Sequence, residues 1–514
     1  MSDKIINTFQ QRRQLDQAFA DLAQTQNEAE LVQAARQIAH SFPVDLVLTA
    51  LVKYLDTGNS QIRGGLGHVA ALLPADEVLP ALRNVAAKRQ LAPQARLNAA
   101  SIAQRFLGVE LPAALLADLT DTEEIAFQSL REALDEAQRN RYVLLEYVTQ
   151  MQEHGEEIAA MVMGLLERVE PAERVELLRL IAQDERPRVA RGALTRLERL
   201  ALSEEMPQAV RALYTLQAAL AEDLAEETAR SLRKVRFSGK VYHPTSTTGW
   251  RALLSPADPN SSQSVWLLYR PDTAQSNGIL LGFARSEGVG MSQFFGTEVI
   301  DRTLLPPAQP VGEMVTVTMD NGRTATMLEA PFDYGRWLLQ RAIAHMQAVS
   351  GKQPLPGEYK LYNDLIWQFA PPAVEPALLA IWHSSTTEKP SPVDAETLAT
   401  YTTELFHHPV MANWQLRNWA LMPNSAQLAL PLPDLVAALL GQIAKSSEGL
   451  QLGQALAAGL RAQAAWLQIA QQPTLAAHAL LLAEHLPHLS ITANPVLAHM
   501  LTNAINANQH GRQG

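Results

Sequence analysis

The chain has 514 residues and an apolar fraction of 47%, which is sufficient for two to four folded domains and excludes wholesale disorder. It contains no cysteine, so disulfides, thiolate catalysis and cysteine-ligated zinc are excluded. A formal net charge of −11 argues against a nucleic-acid partner or an anionic-membrane surface, because both require an excess of Lys and Arg.

The chain shows no sign of secretion or membrane insertion. Its N-terminus runs directly into a polar helical pattern and lacks the apolar core of a signal peptide. The longest apolar region, residues 428–444, is interrupted by Pro431, Pro433 and Asp434, so it falls short of the ~18 apolar residues of a membrane span. We therefore expect a cytoplasmic protein with no membrane association.

Residues 1–235 are rich in strong helix formers and contain a repeated helical pattern. Arg63, Arg96 and Arg191 are each followed by apolar residues three and six positions later, and Arg131 begins a weaker copy. Successive arginines are 33, 35 and 60 residues apart, and the last spacing is close to two further steps. A fixed period of about 30 to 45 residues predicts an array of stacked helical pairs.

This pattern of Arg followed by apolar residues, with Ala and Gly at tight positions, resembles HEAT-type repeats over about 200 residues. The resemblance implies an α-solenoid. HEAT-like proteins serve mainly as scaffolds, adaptors and cargo holders, while a minority act in chromophore attachment or excise alkylated bases from DNA. No family resemblance is recognised for residues 236–514.

Residues 236–330 change from a helical to a strand period. Residues 264–270 and 278–285 are short apolar runs bounded by turn residues and joined by a polar linker, which predicts an antiparallel pair. Residues 240–243 and 250–254 are expected to add two more strands. The prediction is a sheet of about four to six strands.

The clearest hairpin in the chain lies at the end of this region. Asn321-Gly322 separates two runs rich in β-branched residues, 315–319 and 323–327. Asn-Gly readily adopts the positive φ values that a type I′ turn requires. The sequence therefore predicts two paired strands here.

A helical period returns after residue 330. Residues 334–349 are expected to form one helix, and Asp394 is expected to cap another. Residues 398–508 are rich in Ala and Leu and poor in charge, so their helices must bury most of their surface or present it to a partner. The predicted fold is mainly α with a central β-rich part, in three domains: 1–235, 236–330 and 331–514.

Two groups of residues are candidates for partner binding. Arg63, Arg96 and Arg191 could grip an acidic partner, although the favoured interpretation is that each pairs with a carboxylate or carbonyl of its neighbouring repeat. Phe294 and Phe295 lie in a segment flanked by glycines and could be presented on a loop or belong to the core of a small sheet.

No catalytic, cofactor or metal site is predicted. His478, Glu484, His485 and His488 match no established ligand spacing, because Pro487 interrupts their helix. The sequence also lacks a phosphate-binding glycine loop followed by Lys and Ser or Thr, and it lacks a nucleophile elbow.

We therefore expect a non-enzymatic cytoplasmic scaffold or adaptor that binds a protein partner through helical-repeat surfaces. One alternative is a hydrolase or transferase with its site in the β-rich domain. A second alternative is nucleic-acid binding by a basic strip on the solenoid, formed by Arg83, Lys88, Arg89, Arg96 and Arg105.

Overall fold

A computed structural model describes most of the chain. The described residues are 2–25, 28–57, 59–88, 90–109, 122–203, 206–220, 222–271, 277–318, 322, 324–348, 354–383, 391–415, 430–446 and 449–510.

Consecutive helices occupy the chain up to residue 237, an arrangement that is compatible with a helical solenoid. They are α1 (Ser2–Asp21), α2 (Glu28–Ser41), α3 (Val44–Tyr54), α4 (Ser60–Leu72), α5 (Ala75–Ala87), α6 (Pro93–Arg105), α7 (Thr122–Ala137), α8 (Tyr142–Glu153), α9 (Glu156–Leu165), α10 (Pro171–Ile181), α11 (Pro187–Ser203), α12 (Pro207–Ala219) and α13 (Glu222–Phe237).

Helices also follow the sheet, as predicted from the return of the helical period. They are α14 (Phe332–Ala348), α15 (Gly357–Trp367), α16 (Pro376–His383), α17 (Ala395–Phe406), α18 (Leu432–Ile443), α19 (Gly449–Ile469), α20 (Pro473–His485) and α21 (Pro495–His510). Asp394 caps α17 by accepting a hydrogen bond from the backbone N–H of Thr397 at 2.8 Å, as expected. None of these helices, within the described residues, is long and apolar enough to cross a membrane.

The chain divides into two compact units, Met1–Arg174 and Val175–Gly514. The second unit includes α11, α12 and α13 together with the sheet and all later helices. The predicted division into three domains at 235 and 330 follows changes in secondary structure and stays a prediction.

Glycines inside α4 have a packing role. A Cβ on Gly65 would lie 2.7 Å from Cδ1 of Leu22, and a Cβ on Gly67 would lie 2.3 Å from Cε2 of Phe106. Both distances are far below van der Waals contact, so only glycine permits α4 to approach these side chains. This close packing explains a residue type that is otherwise unfavourable in a helix interior.

The central sheet has six antiparallel strands in the order β4-β3-β2-β1-β6-β5. The strands are β1 (Trp250–Leu254), β2 (Gln263–Tyr269), β3 (Gly278–Ser286), β4 (Gly290–Ile300), β5 (Met314–Thr318) and β6 (Thr324–Ala330). The pairing of β2 with β3 and of β5 with β6 confirms both predicted hairpins, while most of the residues of the Asn-Gly turn lie outside the described residues.

One expectation about the sheet was wrong. Residues 240–243 form no strand, and the nearby Thr245 makes only an isolated bridge, to Phe369. Of the two alternatives for the segment around Phe294 and Phe295, the structure gives a strand of the sheet, the long edge strand β4, and not a loop. The glycines of β4 interrupt the alternation of apolar and polar residues that is typical of a strand. Close packing requires a glycine here, because a Cβ on Gly296 would lie 2.6 Å from Tyr362.

Helix α14 covers one face of the sheet. A Cβ on Gly335 would lie 2.8 Å from Cδ2 of Leu267 on β2 and 2.9 Å from Cβ of Ala252 on β1. The sheet thereby fixes the helices that follow it, and the end of α14 and the start of α15 form part of the cavity described next.

Candidate functional site

The larger of two described cavities lies within the second unit and has a volume of about 1000 Å³. This size is typical of a binding site, for which cavities of roughly 300–1,000 Å³ are the norm. Its lining residues come from five helices and the loops beside them: Gln183, Asp184, Glu185, Pro187, Ala219, Leu220, Glu222, Asp223, Leu224, Glu226, Ala344, Gln347, Ala348, Pro354, Leu355 and Lys360. We refer to it as the acidic cavity.

A buried guanidinium joins two walls of the acidic cavity. Arg179, on α10, is 1% exposed and donates hydrogen bonds from Nη1 to the backbone oxygen of Lys360 at 2.9 Å and from Nη2 to that of Leu361 at 2.7 Å. Its Nη1 also donates to Oδ1 of Asn363 at 2.5 Å. Gln183 contributes a further bond to the Lys360 oxygen at 3.0 Å. These bonds fix α15 against α10 and therefore set the position of Lys360.

The cavity carries an excess of negative charge. Five carboxylates line it against a single ammonium group, that of Lys360; the carboxylates belong to Asp184, Glu185, Glu222, Asp223 and Glu226. Apolar side chains form much of the remaining wall, including those of Leu220, Leu224 and Leu355. The surface is therefore suited to a cationic group attached to an apolar body.

Two of the five carboxylates are paired with arginines. Asp184 accepts from Nη2 of Arg186 at 2.8 Å, and the Asp184 side chain is 1% exposed. Asp223 lies 3.3 Å from Nη2 of Arg191. These pairs neutralise part of the cavity's charge.

Lys360 balances one further carboxylate at longer range. Its Nζ lies 4.0 Å from Oε1 of Glu185, and burial lowers the pKa of Lys360, an effect that Glu185 and Asp184 oppose. Glu222 and Glu226 remain: both are exposed, and neither has an ion-pair partner among the described residues. Four positions apart on α13, they lie on the same side of the helix.

The three repeat arginines all bind protein groups. Arg63 makes a two-pronged ion pair with Glu132, and Nε of Arg96 donates to the backbone oxygen of Ala86 at 3.0 Å. The favoured interpretation, that each arginine pairs with a group of its neighbouring repeat, stays a prediction. A role for either arginine in partner binding stays a prediction.

Arg191 is placed beside the acidic cavity. Its Nε donates to Glu227 at 2.9 Å, its Nη2 lies near the cavity residue Asp223, and 45% of its side chain is exposed. Its predicted role in binding remains untested.

Phe294 and Phe295 point in different directions from β4. Phe294 is 7% exposed and packs edge-on against Tyr359, with ring centroids 5.6 Å apart. Phe295 is 42% exposed and lies edge-on to Trp266 at 6.2 Å. A partner could therefore reach Phe295 directly, whereas Phe294 belongs to the core.

The histidines near the C-terminus have local partners. Nδ1 of His478 lies 3.2 Å from Glu404, and the two ring nitrogens of His485 contact the backbone oxygens of Leu481 and Ser391. Within the described parts of the chain, no group of three or more His, Asp or Glu residues is arranged to hold a metal ion.

The second cavity, of about 640 Å³, is lined by residues of 206–211 and 240–243, among them Arg211, Tyr242 and His243. No residue of the six strands lines either described cavity, although residues 240–243, which line the second one, belong to the predicted β-rich domain. The enzyme alternative stays a prediction. In the basic strip of the nucleic-acid alternative, Arg96 is buried and Arg89 lies outside the described residues.

Sequence reasoning missed the acidic cavity. The spacing of Glu222 and Glu226 was a visible signal, but acidic residues at the start of a helix are common because they offset the helix dipole. Only the tertiary fold shows that Gln347 and Lys360 lie across from them.

No protein-family model matches the chain, and no curated protein or solved structure matches it either.

Proposed function

We propose that this protein is a non-enzymatic adaptor of the HEAT-like type that binds a basic, amphipathic segment of a protein partner in the acidic cavity. The observation that carries the proposal is that an excess of carboxylates and several apolar side chains line the same cavity of about 1000 Å³. A segment with Lys or Arg beside Leu or similar residues would complement both features.

The exposed carboxylates Glu222 and Glu226 give the cavity its capacity to attract a cation. Because no described residue neutralises them, a Lys or Arg of the partner would replace solvent around them without breaking an existing ion pair. Leu355 would contribute apolar contact area to the partner, beside the nearly buried Leu220 and Leu224.

A pair of synthetic peptides tests the proposal directly. Fluorescence anisotropy would compare a labelled amphipathic peptide of Leu and Lys with the same peptide carrying Glu in place of Lys. We expect the first to bind and the second not to bind. Binding should weaken strongly between about 0.1 M and about 1 M salt, where the Debye length falls from ~10 Å to ~3 Å.

The double variant Glu222→Gln/Glu226→Gln should weaken binding of the Lys peptide by about tenfold, because two attractive charges are lost. The matched control is Glu375→Gln/Glu396→Gln, which removes two exposed carboxylates near helix starts outside the cavity. Equal weakening by both pairs, or equal binding of both peptides, would show that the acidic cavity is not the binding site.

A further inference from the structure

A cluster of arginines lies elsewhere in the second unit, where the end of β3 meets helices α14 and α19. Its members are Arg285 on β3, Arg341 on α14 and Arg461 on α19, and we call it the arginine cluster. Arg285 is 2% exposed, so its charge is held almost completely away from water. Such a charge is costly unless it is paired and hydrogen-bonded.

One carboxylate serves two of these arginines. Glu287 accepts hydrogen bonds from Nη2 of Arg285 and, at 3.3 Å, from Nη2 of Arg341. Arg461 makes no hydrogen bond or ion pair with any described residue, and it interacts with Glu287 and Glu484 only at longer range. Glu287 thus contacts two of the three positive charges directly and the third only at longer range.

Two indole rings make cation–π contacts with guanidinium groups of the cluster. Cζ of Arg341 lies 4.7 Å from the ring centroid of Trp382 and 5.1 Å from that of Trp337, while Cζ of Arg285 lies 5.2 Å from Trp382. Contacts of this kind stabilise a cation but accept no hydrogen bond along the guanidinium edge.

Several donors of the cluster are therefore left without acceptors. Nε of Arg285, Nε of Arg341, and both Nε and Nη2 of Arg461 are buried and have no hydrogen-bond partner in the described part of the chain. Buried polar groups are normally satisfied, and a concentration of exceptions at one place calls for water or an ion. Burial also lowers the pKa of Arg285 and of Arg461, because a charged guanidinium is less stable away from water than in it.

We propose that the arginine cluster is a binding site for a phosphate group, supplied either as free phosphate or as part of a phosphorylated small molecule. After pairing with Glu287, the three guanidiniums retain two positive charges, which Glu484 offsets only at longer range and which a phosphate dianion would balance. Guanidinium edges are suited to phosphate oxygens because several N–H groups can bind at once. Trp382 and Trp337 would hold Arg341 in place while it binds.

Arg461 provides the sharpest test, because it makes no hydrogen bond with any residue that the structure describes. Thermal melting of the full chain, followed by tryptophan fluorescence, would be measured with increasing inorganic phosphate at constant ionic strength. We expect the wild-type melting temperature to rise by about 2 °C at a phosphate concentration about tenfold above the dissociation constant. Arg461→Gln should lose this rise while melting no lower than the wild type without phosphate.

Phosphate also stabilises proteins in general by exclusion from their surface, so a matched control is needed. Arg233→Gln removes an exposed arginine outside the cluster and should keep the full rise. Isothermal titration should give one phosphate per wild-type chain and none for Arg461→Gln.

Four results would overturn the proposal. Three are an equal phosphate-dependent rise in Arg461→Gln, no rise in the wild type, and a melting temperature of Arg461→Gln well below the wild type in chloride alone. The fourth is an equal rise with acetate, which would assign the cluster to carboxylates and reject the phosphate site. If inorganic phosphate binds and a phosphorylated sugar binds more tightly, the phosphate group that the arginine cluster binds belongs to a phosphorylated small molecule rather than to free phosphate.

Discussion

Replacing Arg179 with Met would test how the second unit holds its acidic cavity together. Arg179 is 1% exposed and binds the backbone oxygens of Lys360 and Leu361 and the side chain of Asn363. Met has a similar length and is apolar, so it would fill part of the space but leave these acceptors without their donor.

The size of the effect follows from the bonds lost. A buried acceptor left unsatisfied costs about 1–3 kcal/mol, and breaking a buried charged network typically costs about 3–5 kcal/mol in total. Gln183 still donates to the Lys360 oxygen at 3.0 Å, so that acceptor stays satisfied. We therefore expect Arg179→Met to lower the free energy of unfolding by about 3–5 kcal/mol.

Urea unfolding monitored by tryptophan fluorescence is suited to this measurement, because all eight tryptophans lie at or after residue 250, within the second unit. With a slope of about 3 kcal/mol per M, the midpoint should fall by roughly 1 M or more. Arg233→Met, at an exposed position, should change the free energy by less than about 0.5 kcal/mol. A loss below about 1 kcal/mol for Arg179→Met would refute the reasoning.

Three further substitutions have clear expected outcomes. Gly67→Ala should destabilise the first unit by about 1–3 kcal/mol because its Cβ would lie 2.3 Å from Phe106, whereas Gly164→Ala, with no atom within 4 Å, should stabilise it by about 0.5–1 kcal/mol. Thermal melting by far-UV circular dichroism measures both, and equal effects would contradict the close-packing explanation. Burial raises the pKa of Tyr334 to about 12 from 10.0, so its contribution to stability, about 3 kcal/mol, is fully present below pH 10 and is lost as the pH rises to about 12. Tyr334→Phe loses the hydrogen bond from Trp382, but its free energy of unfolding should fall less steeply than that of the wild type as the pH rises from 10 to about 12. If urea unfolding showed the same decline with pH in both proteins, this effect of Tyr334 would be excluded.

Periodicity in the sequence was sufficient to predict the helices and most of the sheet. The apolar positions after Arg63, Arg96 and Arg191 are buried on helices, because a period of 3.6 residues places them on one face. The strand β4 was not predicted, because its glycines and adjacent phenylalanines interrupt the alternation that is typical of a strand. These residues serve tertiary contacts: Gly296 lies against Tyr362, and Phe294 packs against Tyr359.

The sequence by itself determined what each segment can become, since helix and strand periods, turn residues and caps act between residues close along the chain. It could not determine which charges meet. Glu222 and Lys360 border one cavity, and Arg285, Arg341 and Arg461 form one cluster, although they are far apart in sequence. Only the packing of helices on the sheet brings these groups together, and it buries some of them, such as Arg285, while Glu222 stays exposed. The tertiary fold therefore decides which charges are neighbours and how strongly each one interacts.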